Sequence, residues 1–182
     1  MTHGFRTDTH DPYLDGGGRN WRDLATQYAL LPLRIFLGVT FIYASLDKLT
    51  DSAFLKDSGS GSIGDMMRAV RDSSAIPSMV DMALDNPVAF GYAIAFGELA
   101  VGIGTLLGVF ARLAALGGAL ISLSLWLTVS WAAEPYYYGN DLAYLMAWLP
   151  LVLAGAPYLS VDAMLRERKR ERSVFQRSGY ET

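Results

Sequence analysis

The hydrophobic positions of this chain fall into four long blocks separated by polar segments. They do not recur at the period of an amphipathic helix or of a half-buried strand. A block of roughly 18 or more apolar residues is long enough to cross a bilayer as a helix, because about 20 residues rising 1.5 Å each span the hydrocarbon core. The blocks cover residues 28–46, 88–110, 113–133 and 142–159. Pro32 lies in the first turns of the first block, where a missing N–H costs little. Pro150 lies inside the fourth, and Arg112 marks a minimal turn between the second and third. The pattern predicts an all-α, integral membrane four-helix bundle.

Three polar regions frame the blocks. Residues 1–26 form a polar tail that carries Gly16, Gly17 and Gly18 and is expected to be disordered at its start. It lacks the short apolar core and small-residue cleavage site of a secretory signal. The segment between the first and second blocks contains the run Ser58-Gly59-Ser60-Gly61-Ser62, read as flexible, and two short amphipathic pieces around Met66, Met67 and Val70 and around Met79, Val80, Ala83 and Leu84. Those pieces are expected to lie against the membrane or the bundle. A charged tail, residues 163–182, ends the chain. The resulting organisation is a tail (1–26), a four-helix membrane domain (27–162) and a second tail (163–182).

Charge supplies the orientation. An even number of crossings puts both termini on one side, and that side holds ten of the 15 basic residues, Arg112 among them. By the positive-inside rule both termini are expected in the cytoplasm and the long first loop outside, in a bacterial inner membrane. Trp131, Tyr136, Tyr137 and Tyr138 then belong to an outer aromatic belt. The net charge of −3 gives no general case for nucleic acid.

Composition narrows the chemistry. The chain has no cysteine, and its two histidines, His3 and His10, lie in the first tail. No thiolate and no intramembrane imidazole is available for an iron–sulfur cluster, a thiolate metal site or a His-ligated haem. No metal site is expected. Any redox role requires a diffusible quinone or a cofactor on a partner. The methionines of the first loop are read as adaptable packing residues in preference to copper(I) ligands.

Two ionisable residues fall inside apolar blocks, where charge is costly and so marks a candidate site. Arg34 lies about 9 Å into the first block and Glu98 near the middle of the second, on the order of 16 Å from the same side. An ion pair between them would lock two helices. A proton-handling or quinone-binding carboxyl is the alternative, and Arg34 reaching to the interface beside a protonated Glu98 is a third. Asp47 and Lys48 close the first block, and Asn140 and Asp141 open the fourth on the same side, which outlines a possible polar vestibule.

Leu33-Arg34-Ile35-Phe36-Leu37-Gly38, with Phe41, Ala44 and Lys48-Leu49, resembles the first helix of the DoxX/DoxD family of small four-helix membrane proteins. Glu98, Gly102, Gly108 and Arg112 resemble its second helix and the turn after it, and Gly155 to Asp162, through Tyr158-Leu159-Ser160-Val161-Asp162, its ending. The resemblance covers most of residues 30–165, with Ala44 where the family usually has glycine. It implies that Arg34, Lys48, Glu98 and Arg112 are the family's polar positions. It also implies a setting beside other subunits of a respiratory or other membrane redox complex. The expected function is a non-catalytic accessory or assembly subunit. A quinone-interacting small subunit of a thiosulfate:quinone-type oxidoreductase is the first alternative, and a small transporter the second.

Overall fold

The computed structural model describes residues 21–178. The histidines, the glycine run and the start of the first tail, the part expected to be disordered, lie outside the described residues. The described chain forms eight α-helices and two short 3-10 turns, with no strand among these residues. The helices are α1 (Trp21–Tyr28), α2 (Leu31–Thr50), α3 (Ile63–Val70), α4 (Pro77–Leu84), α5 (Pro87–Leu107), α6 (Ala111–Thr128), α7 (Asn140–Ala154) and α8 (Val161–Ser178).

Four of them enclose the main core. α2 packs on α5, α5 on α6, α6 on α7, and α7 returns to α2. Leu37, Phe41, Val101, Ala115, Ala119, Trp148 and Leu151 meet inside, with Phe41 edge-on to Trp148 at 4.9 Å between ring centroids. α2 and α5 approach closely. A Cβ on Gly102 would stand 2.8 Å from Ile42 and 2.9 Å from the Gly38 carbonyl, so only glycine lets these backbones touch.

The outward faces of the ring are apolar too. Phe36, Tyr43, Phe96, Leu120 and Leu153 are all exposed. Both α5 and α6 are long and apolar enough to cross a membrane, and only 33% of each apolar window is buried within the protein. Large apolar side chains facing out in this number need an apolar surrounding. α7 is a shorter apolar helix, and α2 carries Arg34, Asp47 and Lys48.

One end of the ring carries both described chain ends, α1 and α8, and is termed the tail end. The other carries α3 and α4 and is termed the loop end. At the loop end the segment after α2 builds a small second core from Phe54, Ile63, Met67, Val80 and Ala83. Ile63, Met67 and Val70 recur at i, i+4 and i+7, which puts them on the covered face of α3. The Ser–Gly run expected to be flexible is instead tethered. Ser62 is buried and caps α3 by accepting from the Asp65 amide at 3.2 Å, and the Gly59 amide donates to the Asp65 carboxylate at 3.0 Å. Ser74 and Ala75 donate to the Leu127 carbonyl, which ties the segment to the end of α6.

At the tail end α5 stops at Gly108, whose φ of 66° is the left-handed C-cap conformation. The amides that open α6 are then satisfied from far along the chain. The Asp162 carboxylate accepts from Phe110 N at 3.0 Å and Ala111 N at 2.8 Å, while Asp162 N donates to the Gly108 carbonyl at 3.1 Å.

Candidate functional site

Arg34, Leu37, Gly38, Phe41 and Ser45 are buried on α2, and Lys48 continues the stripe they form. The two basic residues of that stripe lie on the order of 21 Å apart along the helix axis. They therefore serve opposite ends of the ring.

At the loop end Lys48 Nζ donates to Glu98 Oε1 at 3.0 Å and Oε2 at 2.7 Å, and to the carbonyl of Ala44 at 3.3 Å. An ammonium group has three N–H donors, so its hydrogen-bonding capacity is full. The Glu98 side chain is 5% exposed and that of Lys48 24%. Side chains on a helix lean toward its N-terminus, so Lys48 reaches back into the ring from the end of α2. Asp141, at the start of α7, lies close enough for its charge to act on both partners, and it accepts the Ser130 hydroxyl. Two carboxyl groups thus share one ammonium. The Ser45 hydroxyl is fully buried one turn inward of Lys48 and has no hydrogen-bond partner among the described residues.

At the tail end Arg34 is 7% exposed. Its guanidinium donates from Nη1 to the Tyr158 carbonyl at 2.9 Å and from Nη2 to the Leu159 carbonyl at 2.6 Å. Both carbonyls lie in the link between α7 and α8, where Leu159 has a φ of 46°. A planar fork suits two adjacent carbonyls as a point charge does not. A cavity of about 190 Å³ adjoins Arg34, walled in part by Tyr28 and Tyr158.

The expected Arg34–Glu98 pair is therefore not formed. Depths counted inward from the ends of two blocks assume that the helices start level. They do not: Gly102 meets Ile42, which sets Glu98 near the level of Leu46. Arg34 is then on the order of 18 Å away along the axis, beyond the reach of its side chain. The expected vestibule assembles in part. Lys48 and Asp141 join Glu98, while Asp47 and Asn140 stay exposed. Arg112 is exposed at the start of α6, with its side chain lying against Gly155. Residue-level reading did not foresee Ser45 or the capping role of Asp162. An aspartate at the head of α8 was the available signal for the latter.

Comparison with curated proteins and with solved structures finds no match. The model of a protein family described as TQO small subunit DoxD, the small subunit of a thiosulfate:quinone oxidoreductase, matches residues 29–177. That stretch contains every helix from α2 to α7, most of α8, and both polar clusters. With the family model covering most of the chain, and with lipid-length apolar helices in the ring, the protein is a DoxX-like membrane protein and belongs to the DoxD family.

Proposed function

We propose that this chain is the membrane-embedded subunit of a thiosulfate:quinone-type oxidoreductase, with the Lys48–Glu98–Asp141 cluster as the place where protons meet the quinone. The observation that carries this reading is the charge count of a largely buried site: two carboxylates against one ammonium. Such a site has room for one proton or one hydrogen-bond donor. Quinone reduction consumes two protons and two electrons per turnover. The electrons come from thiosulfate oxidised on a partner subunit, because this chain brings no cysteine and no histidine outside its first tail.

The experiment is thiosulfate-dependent quinone reduction by the purified complex, comparing wild type with Glu98→Gln. A general acid–base group contributes about 10²–10⁴-fold, so a loss of about 100-fold in an assembled complex is expected. A full rate in the assembled Glu98→Gln complex refutes the proposal. A second reading, the accessory subunit, is favoured by the complete saturation of the Lys48 ammonium, which suits a lock between α2 and α5. Under it Glu98→Gln lowers the yield of assembled complex and leaves turnover per complex unchanged.

We further propose that all four ring helices cross the cytoplasmic membrane, with the tail end inside. Arg112, Arg166, Arg168, Lys169 and Arg170 lie at the tail end. At the loop end Arg68 and Arg71 are neutralised by Asp57, Asp65, Asp72 and Asp81. The absence of native cysteine allows a clean test. An impermeant maleimide is expected to label Ser60→Cys in intact cells, and Ser173→Cys only after permeabilisation. The opposite labelling overturns the orientation.

A further inference from the structure

Several hydroxyl groups of this chain bond back to their own backbone. Thr50, Ser124, Thr128 and Ser160 each donate to a carbonyl three or four residues earlier, at 2.6–2.8 Å. Ser45 does not. Its side chain is fully buried, and its Oγ has no hydrogen-bond partner among the described residues. A buried hydroxyl without a partner forfeits the bonds it makes in water, so it points to a second state in which it is bonded.

The position of Ser45 says what that state is. It lies three residues after Ile42, which meets Gly102, and three before Lys48, which meets Glu98. It therefore stands on the α5-facing side of α2, directly inward of the ion pair. Lys48 gives its three N–H donors to Ala44 and to both oxygens of Glu98, an arrangement suited to an ionised carboxylate. A protonated Glu98 keeps one oxygen for Lys48 and turns the other into an O–H donor that needs an acceptor. Lys48 cannot accept. Asp141, the charged group that faces Glu98 from α7, already accepts the Ser130 hydroxyl. α6 brings no ionisable side chain except Arg112, at the opposite end. The inward acceptor is the Ser45 hydroxyl.

We propose that Ser45 is the positioning residue for a proton-loaded Glu98: the carboxyl O–H donates to Ser45 Oγ, while the other oxygen keeps its bond from Lys48. Loading is an acid–base step in which no electron moves. The carboxylate takes one proton from water at the loop end, where Lys48 is partly exposed. In turnover that proton passes to an oxygen of the reduced quinone and the carboxylate is restored, a step that rests on the function proposed above. Thr105 supplies a control. Its hydroxyl is also buried without a partner among the described residues, but it lies seven residues beyond Glu98, on the order of 10 Å along the helix axis.

The test is infrared difference spectroscopy of the full chain in mild detergent across an acid–base jump. The carbonyl stretch of the protonated Glu98 carboxyl is identified by its loss in Glu98→Gln or, should that variant not fold, by its displacement in Glu98→Asp. Each hydrogen bond made by a carboxylic acid lowers this stretch, so Ser45→Ala is expected to move the band to higher wavenumber. Thr105→Val is expected to leave it in place. Ser45→Ala is also expected to unfold no lower than wild type, because the bond it removes is absent from the resting state. The proposal is overturned by the lack of any Glu98-dependent band, by a band that Ser45→Ala leaves unmoved, or by an equal shift in both variants. A clear fall in the unfolding midpoint of Ser45→Ala overturns it too, since the hydroxyl would then be a fixed structural bond. These readings need no quinone, thiosulfate or partner, so they fail separately from the turnover assay on Glu98→Gln.

Discussion

Lys48 and Arg34 stand on the same inward stripe of α2, yet the fold treats the two cations differently. Lys48 meets a carboxylate of another helix, with a second carboxylate nearby. Arg34 meets no carboxylate among the described residues; it divides its guanidinium between two backbone carbonyls of a link. The first arrangement joins a cation to a carboxyl group of another helix, with a second carboxyl nearby, and a carboxyl group can take up a proton. The second joins a permanently charged group to backbone, so its charge is fixed. The loop end is built to respond, and the tail end to hold. The difference explains why chemistry is sought at Glu98 and architecture at Arg34.

The most severe way to break the contrast is Glu98→Ala. It strands a partly buried ammonium, and removing one partner of a buried pair costs about 3 kcal/mol. A large drop in the thermal unfolding midpoint in detergent is expected. Lys48→Met combined with Glu98→Leu should recover most of it, since an apolar pair of similar volume replaces an ion pair at little cost. A double variant no more stable than Glu98→Ala would contradict this account.

Exchanging the cations sharpens the comparison. Arg34→Lys leaves one ammonium for two carbonyls, and a hydrogen bond from a charged group is worth about 2 kcal/mol. Lys48→Arg keeps a cation against a carboxylate and should cost less. Unfolding midpoints of the two variants, measured together, decide the order, and the reverse order would refute the distinction between fork and point charge.

A smaller effect is expected from the cap that closes the tail end. Asp162→Ala uncaps Phe110 N and Ala111 N, for a loss of about 1–2 kcal/mol. Hydrogen exchange should accelerate at those two amides, with Asp162→Asn falling between the variants. Unchanged exchange at both amides would show that water replaces the cap at no cost.

The smallest effect lies on the exposed surface of the loop end. The Arg71 guanidinium bonded to Asp81 holds its carboxyl below the ordinary carboxylate range. A depressed native value means the pair stabilises the fold above the unfolded value of about 3.9, and that this contribution fades as pH falls below it. Exchange protection in α4 should hold from pH 7 to 5, then decline below pH 4. Asp81→Asn should remove that step and leave the behaviour at neutral pH nearly as it was.

The ring helices were legible because lipid-length apolar blocks impose themselves on any reading. The expected 88–110 became Pro87–Leu107, and the expected 113–133 became Ala111–Thr128. The ends that moved are those where backbone geometry decides. Gly108 stops α5, and α7 ends before Gly155, where φ is 70°, short of the expected 159. Partner choice was not legible. That Lys48 and not Arg34 meets Glu98 depends on the stagger of α5 against α2, which is set by the contact of Gly38 and Gly102. Each of those glycines is visible in the sequence, but their register is a property of two helices at once. The Ser–Gly run misled for a related reason. Its composition speaks of freedom, while Ser62 and Asp65 supply the tethers.

Arg34 and Asp162 bind the early and late parts of the polypeptide into one knot of polar contacts. Arg34 needs carbonyls from residues 158 and 159, and the bend between α5 and α6 needs a carboxylate from residue 162. A nascent chain emerging from the ribosome cannot satisfy either demand until residues 158–162 have been made. Maturation of this protein is therefore a terminal event, and any version cut short before residue 162 must enter the bilayer with its tail-end joints open.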